Sequence, residues 1–354
     1  MMIFQNCLKE LSTLAKKKIL IIDGAVGTEI QNLRLNEEDY RGKKFSKSNM
    51  YLKGNHDLLS ITQPELIKEI HNSYCSSGAD IIETNTFSST SIAQSDYGLE
   101  KMAYEFNQVS AQIAKEVTLE YYKNTNRRVY VAGAIGPTNK TASMSPDVED
   151  PSYRAVTFDS LVESYSDAVN GLIDGGADIL LLETIFDTLN AKAALYAIQS
   201  VFIKLNIKLP IMISGTITDL SGRTLSGQTT EAFWHSIKHV NPFSVGLNCA
   251  LGAREMQQHI SDLSRVAETF ISAYPNAGLP NEFGEYDESP CQTASMLKEF
   301  ALEGLVNIVG GCCGTTPEHI KHISDAVSGI LPRQPIVNKP VLCLSGLEAF
   351  KKRP

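Results

Sequence analysis

The sequence predicts an α/β protein folded as a (β/α)8 TIM barrel with eight parallel strands. Three observations carry that expectation. Short apolar segments alternate with longer amphipathic ones along all 354 residues. Eight such segments can be placed, at residues 18–23, 80–84, 129–133, 178–183, 210–215, 244–248, 269–273 and 306–310, each apolar almost throughout, as strands buried on both faces must be. Two of them share a phrase, Gly78-Ala-Asp-Ile-Ile-Glu-Thr84 and Gly176-Ala-Asp-Ile-Leu-Leu-Leu-Glu-Thr184: a glycine after a helix, a strand, then Glu-Thr at its end. An open, doubly wound sheet is the alternative.

The elements follow in order. The first 18 residues carry scattered charges and no continuous apolar stretch, so they read as a short amphipathic helix and not a signal peptide. Strand one ends on Asp23-Gly24. Residues 32–60 are polar and long for a strand-to-helix loop; the reading is a solvated loop, with a cover over the site or a partner contact as the alternative. Pro64 suits the first helical position, where its missing donor loses nothing. Leu66, Ile67, Ile70 and Tyr74 form one stripe behind it, Cys75 is a small packing residue, and Gly78 closes the helix. Thr315-Thr-Pro317-Glu318 offers a capping box and a proline start for the last helix. His235 and His239 stand four apart, but no Glu follows His235 as a zinc-protease helix requires. They read as a solvated helix face, as do His319 and His322. Residues 215–227 are rich in Ser, Thr and Gly but lack the phosphate-loop pattern.

Composition excludes several classes. Hydrophobic residues at 43% and charged residues at 20% are ordinary globular usage, not disorder or collagen. Lys and Arg number 32 against 40 Asp and Glu, a net charge of −8 with no basic block, which argues against nucleic-acid binding. No apolar run approaches the ~18–20 residues that span a bilayer. A cytoplasmic protein with reduced thiols is expected. The seven cysteines, an odd number, then point to metal binding or reactive thiols instead of a disulfide framework.

Barrel enzymes place their chemistry at the C-terminal ends of the strands. Those ends carry Asp23-Gly24, Glu83-Thr84-Asn85, Gly133 to Gly136, Glu183-Thr184, Asn248-Cys249, Asn276 and Gly310-Gly-Cys-Cys-Gly314. Neighbouring side chains on a regular strand point to opposite faces, so Cys312 and Cys313 can meet at one ion only where the backbone leaves the strand. The flanking glycines permit that. With Cys249 they make three thiols, and three thiolates with one open position fit a catalytic tetrahedral zinc better than a closed structural one. The alternative is a pair of inert cysteines in a tight turn. Asp23 and Glu183 suit general acid–base work, a pair of charges for a substrate ammonium, or acceptors for backbone donors; spacing leaves all three open.

A set of longer segments resembles one family throughout. DGAVGT begins at Asp23, GADIIETNTF at Gly78, GPTNKTASMSPDV at Gly136 and ETIFDTLNAKAA at Glu183. PIMISGTITDLSGRTLSGQTTEAF begins at Pro210, GLNCALG at Gly246, PNAGLPNEFGEYD at Pro275 and NIVGGCCGTTPEHI at Asn307. Together they resemble the homocysteine-binding (N-terminal) module of cobalamin-dependent methionine synthases, within the homocysteine methyltransferase family. The resemblance implies a barrel over residues 1–340 and a tail at 341–354 like the connector to a folate-binding module. It implies Zn2+ held by Cys249, Cys312 and Cys313, with Asn276 in the fourth position when substrate is absent. Asp23 and Glu183 would bind the homocysteine amino group, and backbone amides around Gly24, Ala25 and Val26 its carboxylate. The implied activity is methyl transfer to homocysteine from methylcobalamin on a partner module, the methyl coming ultimately from 5-methyltetrahydrofolate. Self-sufficient transfer from S-methylmethionine or betaine, and a non-catalytic barrel with structural zinc, are the other readings.

Overall fold

The computed structural model describes residues 2–218, 221–337 and 341–352. Its strands are β1 (Leu20–Ile21), β2 (Ile81–Glu83), β3 (Tyr130–Ile135), β4 (Ile179–Ile185), β5 (Ile211–Gly215), β6 (Ser244–Gly252), β7 (Phe270–Asn276) and β8 (Ile308–Val309). All eight fall on the expected segments. They pair in parallel in the order β1-β8-β7-β6-β5-β4-β3-β2. A parallel bridge from Ile22 to Ile81 joins the two ends of that order, so the sheet closes and the open alternative is excluded.

Helix α1 (Met2–Ala15) precedes the barrel and the short α2 (Val26–Asn32) follows β1. One outer helix then follows each strand: α3 (Pro64–Ser76), α4 (Ala103–Thr125), α5 (Phe158–Asp174), α6 (Thr188–Leu205), α7 (Thr230–Ile237), α8 (Ala253–Val266), α9 (Pro290–Leu302) and α10 (Pro317–Val327). Parallel strands need such crossovers, and the helices bury the outer face of the sheet. Among the described residues, no helix is long and apolar enough to cross a membrane.

Strand alternation sorts the core into two layers. Ile21, Ile82, Val131, Leu180 and Leu182 face outward into the helix layer. Leu20, Ile22, Ile81, Tyr130, Ile179, Leu181 and Met212 fill the barrel interior. Helix α1 is amphipathic as expected, and its apolar face is the floor of that interior. Cys7, Leu11 and Ala15 are buried against the inner layer, and the Cys7 thiol reaches the Asp178 carbonyl at 3.7 Å. Burial pushes the Cys7 thiol up to about 12, so it is an inert packing group.

Arg333 fastens the chain beyond α10 to the same end of the barrel. Its buried guanidinium donates to the carbonyls of Thr269 (2.9 Å), Ser264 (2.6 Å) and Ala267 (2.7 Å), just past the C-terminus of α8, where exposed carbonyls favour a cation. Burial draws the group down to about 10.

Four expectations are corrected. Residues 32–60 are not simply solvated: Tyr40, Leu52, Leu58 and Leu59 are buried in the core. The cap of α10 is Thr316 paired with His319, not Thr315 with Glu318, although Pro317 does start the helix. His319 is accordingly buried, with its other ring nitrogen 3.0 Å from the Glu288 carbonyl. The His235 side chain is 3% exposed, while His239 is exposed as expected. The expected domain boundary at 340 lies outside the described residues. Beyond it, β9 (Cys343–Ser345) and β10 (Ala349–Lys351) form a hairpin on α7, where the Ser345 hydroxyl meets the Ser236 hydroxyl (2.7 Å) and the Ala232 carbonyl (2.6 Å).

Candidate active site and metal centre

The strand ends surround a cavity of about 810 Å3, whose wall includes Gly24, Ala25, Val26, Glu83, Glu183, Cys249, Cys312 and Cys313. Gly54, Asn55, His56 and Asp57, from the corrected 32–60 segment, line it too.

The three sulfurs of Cys249, Cys312 and Cys313 all lie within 4.8 Å of one another. Cys249 and Cys313 are 3.8 Å apart. Backbone distortion on both sides makes this possible. The β6–β7 register breaks between Asn248 and Gly252, and Cys249 (φ 60) and Ala250 (φ 57) are both left-handed, a conformation costly for non-glycine residues. Between the contributing strands, β7 holds the pair in place: the Cys312 amide donates to the Pro275 carbonyl (2.8 Å), and the Ala277 amide donates to that of Cys313 (2.9 Å). The glycines act mainly through space. A Cβ at Gly310 would stand 2.4 Å from the Ile22 carbonyl oxygen, and one at Gly311 would stand 2.5 Å from Thr315. Only Gly314, at φ +80, also supplies the left-handed turn.

The sulfurs share protons. Hydrogen bonds from Cys249 and Cys312 draw Cys313 down to about 3. The same contacts push Cys312 well up. One thiol in the cluster is thus already poised as thiolate, as a metal ligand must be. Asn276 lies between the ligand-bearing segments, paired in register with Gly252, and is buried. Its side-chain oxygen has no hydrogen-bond partner. Three clustered thiols, with a buried orphan acceptor on the strand end between them, are a donor set that fits a zinc ion.

Three carboxyls stand together, Asp23 and Glu183 buried and Glu83 half-buried. Asp23 accepts the Glu83 amide at 3.0 Å through one oxygen, and its other oxygen is buried without a partner. Burial, then the Glu83 charge, raises Asp23 well above the ordinary carboxylate range. Glu183 is raised well up by burial and by the charges of Glu83 and Asp23. Glu83 itself is pushed up to about 7 by burial. Glu83 was absent from the expected site set, yet it carries the same signal as Glu183: each ends the repeated glycine-to-Glu-Thr phrase, and each continues the inward parity of its strand (Ile81, Glu83; Ile179, Leu181, Glu183).

Of the expected carboxylate-binding amides, that of Ala25 already donates to Thr315 Oγ1 at 3.3 Å. Tyr286 is a second residue missed in the sequence. It lies on the loop after β7 and lines the cavity, where burial and then the nearby Cys313 and Cys249 push its hydroxyl up. Cys75 is buried in α3 as expected, and exposed Cys291 sits 3.4 Å from His322.

Comparison with known proteins places this geometry. A family model described as homocysteine S-methyltransferase matches residues 20–327. The metallated form of the homocysteine methyltransferase MmuM from Escherichia coli is 22% identical, with a TM-score of 0.70, covering 90% of this chain and 99% of that one. The oxidized form gives 20% identity, the same TM-score and the same coverage. The apo form gives 18% and 0.64, over 89% and 98%. At such identities the likeness establishes the shared fold.

Proposed function

The chain belongs to the homocysteine S-methyltransferase family, and on that premise we propose that it binds L-homocysteine and presents it as a thiolate for methylation to methionine. The observation that carries this reading is the cluster of three thiols from two strand ends, within 4.8 Å of one another, in a cavity whose other wall is carboxyl-lined. Cys249, Cys312 and Cys313 would hold Zn2+, with Asn276 completing the set in the absence of substrate. Zinc, when bound, takes the place of the thiol proton at a pH where a free alkyl thiol, with a reference pKa of about 8.5, is still protonated.

The chain's own groups supply the rest. Asp23 and Glu183, joined by Glu83, receive the substrate ammonium. Its positive charge offsets the burial and neighbouring charge that raise Asp23 and Glu183, so binding and carboxyl ionisation reinforce each other. The backbone of Gly24, Ala25 and Val26 receives the substrate carboxylate, with Ala25 exchanging its contact to Thr315. An amino acid held at both polar ends has its sulfur directed by geometry towards the cysteine cluster.

The methyl donor in this reading is methylcobalamin on a partner module, recharged from 5-methyltetrahydrofolate on another. The stretches 215–233 and 276–287 and the tail support the methionine synthase branch. Residues 1–340 form the homocysteine barrel and 341–354 the connector. A second reading, transfer from a small donor such as S-methylmethionine or betaine, is favoured by the size of the cavity, about 810 Å3, which exceeds what one amino acid fills.

Calorimetric titration with homocysteine and metal analysis test the site together. Cys312→Ala should lose both zinc and homocysteine binding; full zinc occupancy with unchanged affinity overturns the assignment. Assays offering each donor in turn separate the donor readings, and turnover with S-methylmethionine but none with methylcobalamin selects the second. Failure of the native chain to bind homocysteine selects a barrel with structural zinc.

A further inference from the structure

We propose that Asn248 is a positioning residue that ties Cys312 to the Glu183-bearing strand end and, through an N–H···S hydrogen bond, blunts the Cys312 sulfur so that methyl transfer falls on the substrate's sulfur. The proposal rests on the reading of Cys249, Cys312 and Cys313 as metal ligands. Asn248 is completely buried. Its side-chain oxygen accepts the Thr184 amide (3.1 Å) and the Ser214 hydroxyl (2.7 Å). Its amide nitrogen donates to the Thr184 hydroxyl (2.8 Å) and to Cys312 Sγ (3.8 Å). All four of its hydrogen-bonding positions are therefore used.

The orientation of this amide follows from chemistry. A backbone N–H can only donate, so the oxygen must face Thr184, and the NH2 group must face the sulfur. Thr184 is β-branched yet left-handed at φ 53, beside a register shift between Leu182 and Ile185. Such a conformation is costly for a β-branched residue and persists only where its surroundings enforce it. Two of the enforcing bonds come from Asn248. One side chain thus holds both the distorted strand end that presents Glu183 and a sulfur of the metal cluster.

Selectivity gives this contact its purpose. Three protein sulfurs and one substrate sulfur would share the metal, and each has lone pairs able to attack a methyl group. A sulfur whose lone pair accepts a hydrogen bond is the poorer nucleophile. Cys312 has the Asn248 amide on its sulfur; an incoming substrate sulfur keeps its lone pairs free.

The test uses the full chain loaded with cobalt(II), whose thiolate-to-metal absorption reports sulfur lone-pair energy. In Asn248→Ala the band should move to longer wavelength. Iodoacetamide, which forms a C–S bond and releases iodide, should then alkylate Cys312 about two- to tenfold faster, the factor that one net hydrogen bond is worth. The rate at Cys249 should not change. Thr184→Val, which loosens Asn248 but leaves the sulfur contact, should not shift the band. Should Asn248→Ala fail to fold, the cadmium-loaded native protein still decides: a scalar coupling from the Asn248 amide proton to the metal supports the bond, and its absence overturns it. An unshifted band or unchanged Cys312 reactivity also overturns the proposal. No thiolate-to-cobalt band in the native chain overturns the metal reading beneath it.

Discussion

Burial raises all three neighbouring carboxyls, Asp23, Glu83 and Glu183; the Glu83 charge adds to the rise of Asp23, and the charges of Glu83 and Asp23 add to that of Glu183. Glu83 sets a usable pH window, because its folded value of about 7 stands above the ordinary 4.5. A carboxyl raised on folding contributes stability that is complete below about 4.5 and is lost as pH rises towards 7. The ligand-free protein should therefore unfold at lower urea near pH 8 than near pH 5.5, and Glu83→Gln should flatten the difference. Calorimetry should show homocysteine affinity falling about tenfold or more in the same variant, the loss expected for a charge-assisted hydrogen bond. At this scale the sequence was legible wherever a residue stood at the C-terminal end of a strand. Cys249, Cys312, Cys313 and Glu183 were found that way, and Glu83 had the same signature unused. Asn248 and Tyr286 were not legible: an Asn and a Tyr acquire meaning only from partners distant in the chain, Thr184 and Cys312 for one and Cys313 for the other.

Helix α1 and the Arg333 clamp are attachments to the barrel, and each depends on a few atoms. Leu11 is fully buried in the layer that fills the barrel interior. Leu11→Ala should destabilise the protein by about 2–5 kcal/mol in urea unfolding, through lost burial and the cavity left behind. Arg333→Met leaves the carbonyls of Ser264, Ala267 and Thr269 without their donor. At roughly 1–3 kcal/mol for each buried group left unmet, it should cost about 3 kcal/mol or more. Hydrophobic alternation located all eight strands, but it could not set their ends. β6 and β7 run on to Gly252 and Asn276 because tertiary pairing continues past the apolar run. The same limit explains the last helix's cap: Thr315 and Thr316 are equally good caps in sequence, and the His319 ring chose between them. The 32–60 segment is polar on average, yet a few isolated apolar residues, Leu52 and Leu58 among them, are enough to anchor it.

For the whole molecule, barrel closure was legible as eight alternations, while the contact that closes it, Ile22 with Ile81, lies between residues that no local pattern links. The core layers are complete without a metal ion, so zinc should stabilise by mass action and not by creating the fold. Removing it with a chelator should leave the circular dichroism spectrum unchanged and lower the thermal midpoint. Restoring zinc at ~1,000 times its dissociation constant should return about 4 kcal/mol. Collapse of the spectrum on chelation would count against this. Because α1 stoppers one end of the barrel, the cavity among the described residues is approached from the C-terminal ends of the strands. In the proposed reaction, product would leave through the same end of the barrel by which substrate enters.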